Sequence, residues 1–120
     1  PGDYSDPYYK SVHIEATSYE IVPAKSGKRF VVTSMLLASD KNYASSTVAE
    51  TLTIYEANPA DTDTNIKTFT QVDLLRNDRL VATGLNLRAS PSVSLVAFAA
   101  SASVDVTIAG YYVKEVDSDA

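Results

Sequence analysis

The feature that most restricts the fold of this sequence is a series of short runs in which apolar and polar residues alternate, separated by turn-forming residues. Alternation with a period of two places apolar side chains on one face of a β-strand, whereas a helix needs a period near 3.6. The alanine-rich segment 92–102 is the best candidate for a helix, but its valines and Phe98 favour a strand. The eight or so strand-sized runs predict an all-β protein, built as a β-sandwich or a barrel.

These strands are expected to form one domain over residues 11–120, because a chain of 120 residues offers enough apolar surface for one core. The alternation changes phase near Thr17, which predicts a β-bulge, and Gly110 marks a second candidate bulge. The predicted strands that follow the first run span residues 28–39, 47–57, 66–75, 79–83, 85–89, 93–100 and 104–116.

Residues 1–10 are predicted to form a flexible, extended arm outside this domain. They contain two prolines, a glycine and little aliphatic content, so they bring no core of their own. Three tyrosines lie there, Tyr4, Tyr8 and Tyr9. Tyrosine supplies a large contact area at low entropic cost, so the arm is a candidate contact segment for a partner. The alternative is that these rings fold back on their own domain.

Two of the predicted strands are apolar on both faces, although a sandwich strand normally buries one face and exposes the other. In residues 29–39, Met35 and Leu37 would then lie on the face opposite Phe30, and in residues 93–100, Val96 and Phe98 would lie opposite the core. Either loops or the arm cover the second face, or it is a contact between subunits of a symmetric oligomer. Met35, Leu37, Val96 and Phe98 are therefore candidates for a subunit interface.

The charge of the chain argues against nucleic acid as a partner. The formal net charge is −5, and the densest basic group, Lys25, Lys28 and Arg29, is typical of a turn. The chain has no cysteine, which excludes a disulfide and a zinc site built from thiolates. It also has no apolar run near the roughly 20 residues of a membrane-spanning helix, so no membrane partner is expected.

Residues for catalysis are scarce. His13 is the only histidine, so the chain cannot supply a metal site with two histidines, and a Ser-His-Asp triad would have to use His13. No G-x-S-x-G nucleophile elbow or glycine-rich phosphate loop occurs. An ordinary exposed or hydrogen-bonded histidine is the favoured interpretation, and we expect no enzymatic activity, no cofactor and no small-molecule substrate.

Two groups of acidic residues offer alternatives. Glu50 and Glu56 share a strand phase and could form the carboxylate pair of a sugar hydrolase, although an acidic chain produces such pairs by chance. Asp61 and Asp63 alternate in a loop as calcium ligands do, but the glycine and the distal glutamate of an EF-hand are missing. A solvated loop without metal is the favoured interpretation.

Three further segments are informative in their order and spacing. They are Ile21-Val-Pro-Ala-Lys-Ser-Gly-Lys-Arg-Phe-Val-Val-Thr-Ser34, Asp73-Leu-Leu-Arg-Asn-Asp-Arg-Leu-Val81 and Val104-Asp-Val-Thr-Ile-Ala-Gly-Tyr-Tyr-Val113. Together they resemble small jelly-roll proteins of bacteriophage virions. The order and spacing of these segments carry the resemblance, which covers residues 21–113. The chain departs from the family's pattern in the Lys25-Ser26 pair of the first turn, in the long loop at residues 58–65 and in the tyrosine-containing arm.

The resemblance implies an eight-stranded antiparallel jelly roll that forms a homotrimer on the outer surface of a phage capsid, as a decoration or cement protein. Its partners would be its own copies and the major capsid protein, and its location the virion. The arm could then clamp the capsid through Tyr4, Tyr8 and Tyr9.

Three other functions compete with this interpretation. A tail or fibre component would share the fold and differ in its location on the particle. A carbohydrate-binding module would need exposed aromatic rings, for which Tyr43 and Tyr111 are candidates. A small enzyme is the third, and the scarcity of catalytic residues argues against it.

Overall fold

A computed structural model describes residues 6–39, 50–75 and 78–114, with backbone alone at residues 50 and 100–102. Within these ranges, no helix is long and apolar enough to cross a membrane. The strands there are β1 (Asp6–Val22), β2 (Lys28–Ser39), β3 (Glu50–Ala57), β4 (Lys67–Leu74), β5 (Arg79–Ala82), β6 (Leu87–Arg88) and β7 (Ser94–Lys114). Every strand pair is antiparallel, which confirms the expected all-β fold.

The first and last strands, β1 and β7, pair along most of their length and join two sheets. In sheet I, residues 94–99 of β7 lie between β3 and residues 17–22 of β1, with β4 at the edge beyond β3. In sheet II, residues 103–114 of β7 lie between β2 and residues 6–15 of β1, and β5 and β6 pair with the other side of β2. The strands thus form one curled sheet that packs on itself as a β-sandwich, an arrangement compatible with a jelly roll.

Both sheets direct their inner faces into one apolar core. Leu52 and Ile54 of β3 enter it from sheet I, and Val106 and Ile108 of β7 enter it from sheet II. All four are at most 1% exposed. Burial of an aliphatic side chain of this size contributes about 1.5–3 kcal/mol, so this core is the main source of stability.

Strand β2 contains a bulge that changes which of its residues face the core. Its register with β7 shifts just after Val32, so an extra residue reverses the alternation there. Phe30 and Val32 before the bulge, and Met35 and Leu37 after it, all belong to the core. The sequence-based phase was wrong in this half of the strand: Met35 and Leu37 lie inside their own chain, and Leu36 is the exposed neighbour.

The glycine at position 110 of β7 lies opposite this bulge, where it pairs with Val32. A Cβ atom at Gly110 would overlap the Val31 carbonyl oxygen and would lie 2.9 Å from the ring of Phe30. The bulge expected near Gly110 is therefore present in the opposite strand, and the glycine is required because the two backbones approach each other closely.

Strand β1 is broken at Ala16, which confirms the bulge expected near Thr17. Its register with β7 shifts between Glu15 and Thr17, and Ala16 adopts a φ of 48°. A left-handed conformation is unfavourable for alanine, so the surrounding pairing must hold it there. At this break β1 passes from sheet II into sheet I.

The beginning of β1 corrects the predicted arm. Residues 6–10 form regular pairs with residues 108–112 of β7, so they belong to the sheet. The prediction failed because the partner strand lies about a hundred positions away, where local composition carries no information. Of the predicted arm, residues 1–5 lie outside the described ranges.

An aromatic cluster attaches this end of β1 to the rest of the domain. The rings of Tyr8, Phe30 and Tyr112 contact one another edge to face, with centroids 5.0–6.0 Å apart. The Tyr8 hydroxyl donates to the carbonyl oxygen of Ile21 at 2.7 Å, and the Tyr112 hydroxyl donates to that of Pro23 at 2.6 Å. Burial raises the pKa of both phenols, so they remain neutral donors.

A charged group closes the cluster on its outer side. Asp6 accepts hydrogen bonds from the ammonium groups of Lys25 and Lys28, each at 3.1 Å, and these lysines lower the pKa of its carboxyl group. The Lys25 ammonium also lies 4.4 Å from the ring centroid of Tyr112. The basic group that the sequence places in a turn therefore holds the start of β1.

Replacement of Gly110 by alanine is expected to destabilise the domain strongly, by about 3 kcal/mol, because the new methyl group overlaps backbone and ring atoms. Gly84→Ala is the control: its φ is +67° but nothing lies within 4 Å of the new Cβ, so it should cost about 1 kcal/mol. Chemical denaturation measures both. Equal losses would show that β2 and β7 can separate at the bulge at little cost.

Candidate interaction surfaces

The structure places the tyrosines predicted to contact a partner in different environments. Tyr8 is half-buried and packs in the aromatic cluster, so its ring folds back on its own domain. Tyr9, the next residue along the strand, points outward and is 70% exposed. Tyr4 lies outside the described residues.

The four candidates for a subunit interface also differ in how much of their side chains is exposed. Met35 and Leu37 are in the core, as described above. Val96 is 1% exposed and packs in a small second cluster with Tyr55 and Ala57 on the outer side of sheet I. Phe98 lies on the same side and keeps 39% of its area exposed. Of the four, Phe98 alone presents a large surface to solvent.

The outer face of sheet II carries exposed apolar residues that the sequence did not single out. Leu36 of β2 and Val81 of β5 are paired neighbours, 41% and 67% exposed. Tyr9 lies on the same face, separated from β2 by Ala109. We call Tyr9, Leu36 and Val81 the sheet II patch. This patch was missed at the level of the sequence because the bulge in β2 was not predicted, and strict alternation without that bulge assigns Leu36 to the core.

Charged side chains lie beside the sheet II patch, at one end of it. The side chains of Glu15 on β1 and Asp105 on β7 are 70% and 69% exposed. Arg79 of β5 lies in the same row as Asp105, because both residues pair with Ala38 of β2. At this end of the face, the side formed by β1 and β7 is therefore acidic and the side formed by β5 carries a basic group.

His13 of β1 lies between these two carboxylates and contacts both. Its Nδ1 is 2.6 Å from Asp105 Oδ1, and its Nε2 is 3.2 Å from Glu15 Oε2. The hydrogen bond with Asp105, and then the one with Glu15, raises the pKa of His13 above its ordinary value. The imidazolium form is thereby favoured.

The Ser103 hydroxyl also lies 3.2 Å from His13 Nε2, so serine, histidine and aspartate have the order of a catalytic triad. A triad also needs donors for the oxyanion and a concave site that excludes water. Here the histidine side chain is 46% exposed on the outer face of a sheet, and Glu15 competes for the nitrogen that would receive the serine proton. The contacts match cross-strand pairing of polar residues.

The acidic alternatives do not assemble into a site within the described residues. Glu56 is 2% exposed, and its carboxylate accepts a hydrogen bond from the Ser90 amide at 3.0 Å. Glu50, its proposed partner in a carboxylate pair, has no described side chain. Asp61 caps its own loop by accepting from the Thr64 hydroxyl at 2.7 Å. In the described ranges no group of three or more metal-ligating side chains occurs.

The outer face of sheet I contains an open pocket of about 330 Å³ between β3, β4, β7 and the loop at residues 58–66. Its lining residues are Thr53, Tyr55, Asp63, Asn65, Thr68, Gln71 and Phe98. Neither aromatic candidate for carbohydrate binding is among them: Tyr43 lies outside the described residues, and Tyr111 is half-buried on sheet II. The sequence singles out Phe98 and Asp63 of this pocket, for other roles, but carries no signal for the pocket itself, since three strands and a loop must meet to form it.

No known family model matches the chain, and no curated protein matches its sequence. Solved structures do resemble it. A chain of the acid-stable capsid of the Helicobacter pylori bacteriophage KHP30 superposes with a TM-score of 0.58 and 17% identity, covering 94% of this chain and 91% of that one. A chain of the cyanophage Pam1 capsid gives a TM-score of 0.46 with 18% identity, covering 88% and 83%. The core of Drosophila NLP gives 0.47 with 12% identity, covering 88% and 99%.

The KHP30 comparison shows that the chain has the β-sandwich fold of a phage capsid chain along nearly its full length. At 17% identity it shows the fold alone.

His13 gives the domain a pH dependence whose sign follows from its raised pKa. Protonated His13 stabilises the folded state fully below its ordinary pKa of 6.5, and this contribution is lost as the pH rises through the folded-state value. The free energy of unfolding of the wild type should therefore fall, relative to that of His13→Gln, as the pH rises above about 6.5. The difference should be small and should shrink in high salt, because the group is half exposed.

Urea denaturation at a series of pH values measures this difference, and parallel curves for the two proteins would contradict it. A companion assay with p-nitrophenyl acetate compares the wild type with Ser103→Ala and should give equal rates. An ester hydrolysis rate that falls in Ser103→Ala would overturn the assignment of Ser103, His13 and Asp105 as a structural group.

Proposed function

We propose that this chain is a structural protein of a bacteriophage virion, which binds the outer surface of the capsid as a homotrimer and stabilises the shell without catalysing a reaction. The fold supports this proposal, because it matches a phage capsid chain over 94% of its length. The three segments that resemble small jelly-roll virion proteins support it independently: they supply the turn after β1, the connection between β4 and β5, and the second half of β7.

The observation that carries the assembly part of the proposal is the sheet II patch with charged residues at one end. Exposed apolar side chains on a sheet face are an ordinary site for a partner. The charges favour a second copy of the same chain, since Glu15 and Asp105 of one copy can pair with Arg79 of another. We propose three copies because the resemblance to small jelly-roll virion proteins implies a homotrimer, and a head-to-tail contact closes into such a ring when neighbouring copies are related by a third of a turn.

A trimer explains how modest contacts could hold a protein on a capsid. Three copies of one contact act together, since the first binding event raises the effective concentration of the other two. A trimer that binds the assembled lattice and not free capsid subunits stabilises the shell by linkage. Neither step requires a cofactor, which fits a chain with one histidine and no cysteine.

The assembly is tested by Val81→Asp, which should convert the trimer to a monomer because it introduces an unpaired charge into an apolar contact. Light scattering should give three times the 12.9 kDa chain mass for the wild type and the single mass for the variant. Phe98→Asp on sheet I is the matched control and should remain trimeric. A wild type of one chain mass contradicts the proposal, and dissociation by Phe98→Asp alone would place the contact on sheet I.

The role of the N-terminus is tested by a deletion of residues 1–5, which stops before the paired part of β1. The domain should keep its stability, because the described packing begins at Asp6. Attachment to the particle should weaken, since loss of an anchoring aromatic residue, here Tyr4, typically costs about 2 kcal/mol or more at each of three copies.

The measurement is cosedimentation of the truncated protein with phage particles that lack the wild-type protein. Binding equal to full length would show that residues 1–5 are not a clamp. Electron microscopy of the same particles with labelled full-length protein then locates it, and label confined to the tail or fibres would contradict a capsid role.

A further inference from the structure

The pocket on sheet I has a floor built from two rows of side chains that register places side by side. Thr53 of β3 pairs with Gln71 of β4 on one side and with Phe98 of β7 on the other, so the three residues form one row. Thr68 and Tyr55 form the next row. The floor therefore combines hydroxyl and amide groups with a ring that is 39% exposed.

The loop at residues 58–66 forms the wall of the pocket and is held in place by its own hydrogen bonds. The Tyr55 hydroxyl donates to the Thr62 carbonyl oxygen at 2.8 Å, and the Asn65 amide donates to the Thr68 hydroxyl at 3.1 Å. The Ile66 amide donates to the Glu56 carbonyl oxygen at 3.0 Å, which fixes the end of the loop on β3. The wall is thus preformed, which lowers the entropic cost of binding a ligand.

Three polar side chains in the pocket have unused hydrogen-bonding groups. Among the described residues, no hydrogen bond engages the side chain of Thr53, Asp63 or Gln71, while Asn65 and Thr68 are engaged with each other. A carboxylate can accept two hydroxyl donors at once, and a primary amide both donates and accepts. Vicinal hydroxyl groups are the ligand chemistry that fits such a set.

We propose that this pocket binds a neutral saccharide. Its hydroxyl groups would hydrogen-bond with Asp63, Gln71 and Thr53, and the apolar face of one ring would pack on Phe98. Ligand sites of about 300–1,000 Å³ combine apolar contact with a few placed polar groups, and the pocket is at the lower end of that range. Anionic sugars are disfavoured, because Asp63 lies in the wall and Asp73 stands further along the same face of β4.

The saccharide site goes beyond the structural role proposed above and does not depend on it. The pocket lies on the outer face of sheet I, whereas the sheet II patch lies on the opposite side of the sandwich. A trimer formed through sheet II would leave three pockets open to solvent, and weak binding at each would add through avidity. A virion protein of this design could hold particles on a surface that carries glycans.

A glycan array that contains neutral and anionic glycans tests the proposal with the full chain, detected through a C-terminal tag. Bound spots should be neutral glycans. Phe98→Leu, which keeps apolar area without a ring, should weaken binding about tenfold or more, whereas Phe98→Tyr should bind nearly as well as wild type. Gln71→Ala should also lose about tenfold. Lys114→Ala, at an exposed position at the end of β7 outside the pocket and the sheet II patch, is the matched control that should bind unchanged.

Each variant is first checked for a wild-type unfolding transition, which is expected because Phe98 and Gln71 are exposed. Binding is then measured in solution with the neutral glycan of the strongest spot, by following backbone amide shifts around Phe98 and Thr53. No bound spot, binding to anionic glycans alone, or binding that survives both Phe98→Leu and Gln71→Ala would each overturn the proposal. The oligomeric state from light scattering is a separate readout, so failure of one proposal leaves the other standing.

Discussion

The rest of the structure depends on the pairing of β1 with β7, the first and last strands of the described chain. This one ladder runs through both sheets, so each sheet is completed by residues from near the two ends of the sequence. β2 and β3 attach to β7 at different segments and define the two layers. The aromatic cluster of Tyr8, Phe30 and Tyr112 and the Asp6 ion pairs lock the end of this ladder, where fraying would otherwise begin.

A ladder of this length can serve two sheets because irregular positions let it bend. Ala16 takes a left-handed conformation at the point where β1 changes sheets, and β2 bulges opposite Gly110. Each irregularity increases the local twist and reverses the alternation that follows it. The second effect decides which side chains reach the surface, since it turns Met35 and Leu37 inward and leaves Leu36 exposed.

Local pattern predicted the strands well and the surfaces poorly. The bounds of β2 and the break near Thr17 could be predicted, because the alternation of side chains and the choice of turn residues depend on neighbouring positions in the sequence. The strand character of residues 6–10 could not, since their composition suits an arm and their partners lie at the other end of the chain. The outward direction of Leu36 was missed for a related reason. It depends on the bulge in β2, and that bulge lies against Gly110 of β7, a residue far away in the sequence.

The two outer faces differ because the same alternation places different residues on them. Outward positions of β2 and β5 in sheet II are apolar at Leu36 and Val81, which favours contact with another protein surface. Outward positions of β3 and β4 in sheet I are hydroxyl and amide residues such as Thr53 and Gln71. A folded loop borders them on one side, which favours a small polar ligand. Because β7 supplies a strand to both sheets, the proposed assembly surface and the proposed ligand pocket lie on separate faces, and neither would occupy the area of the other.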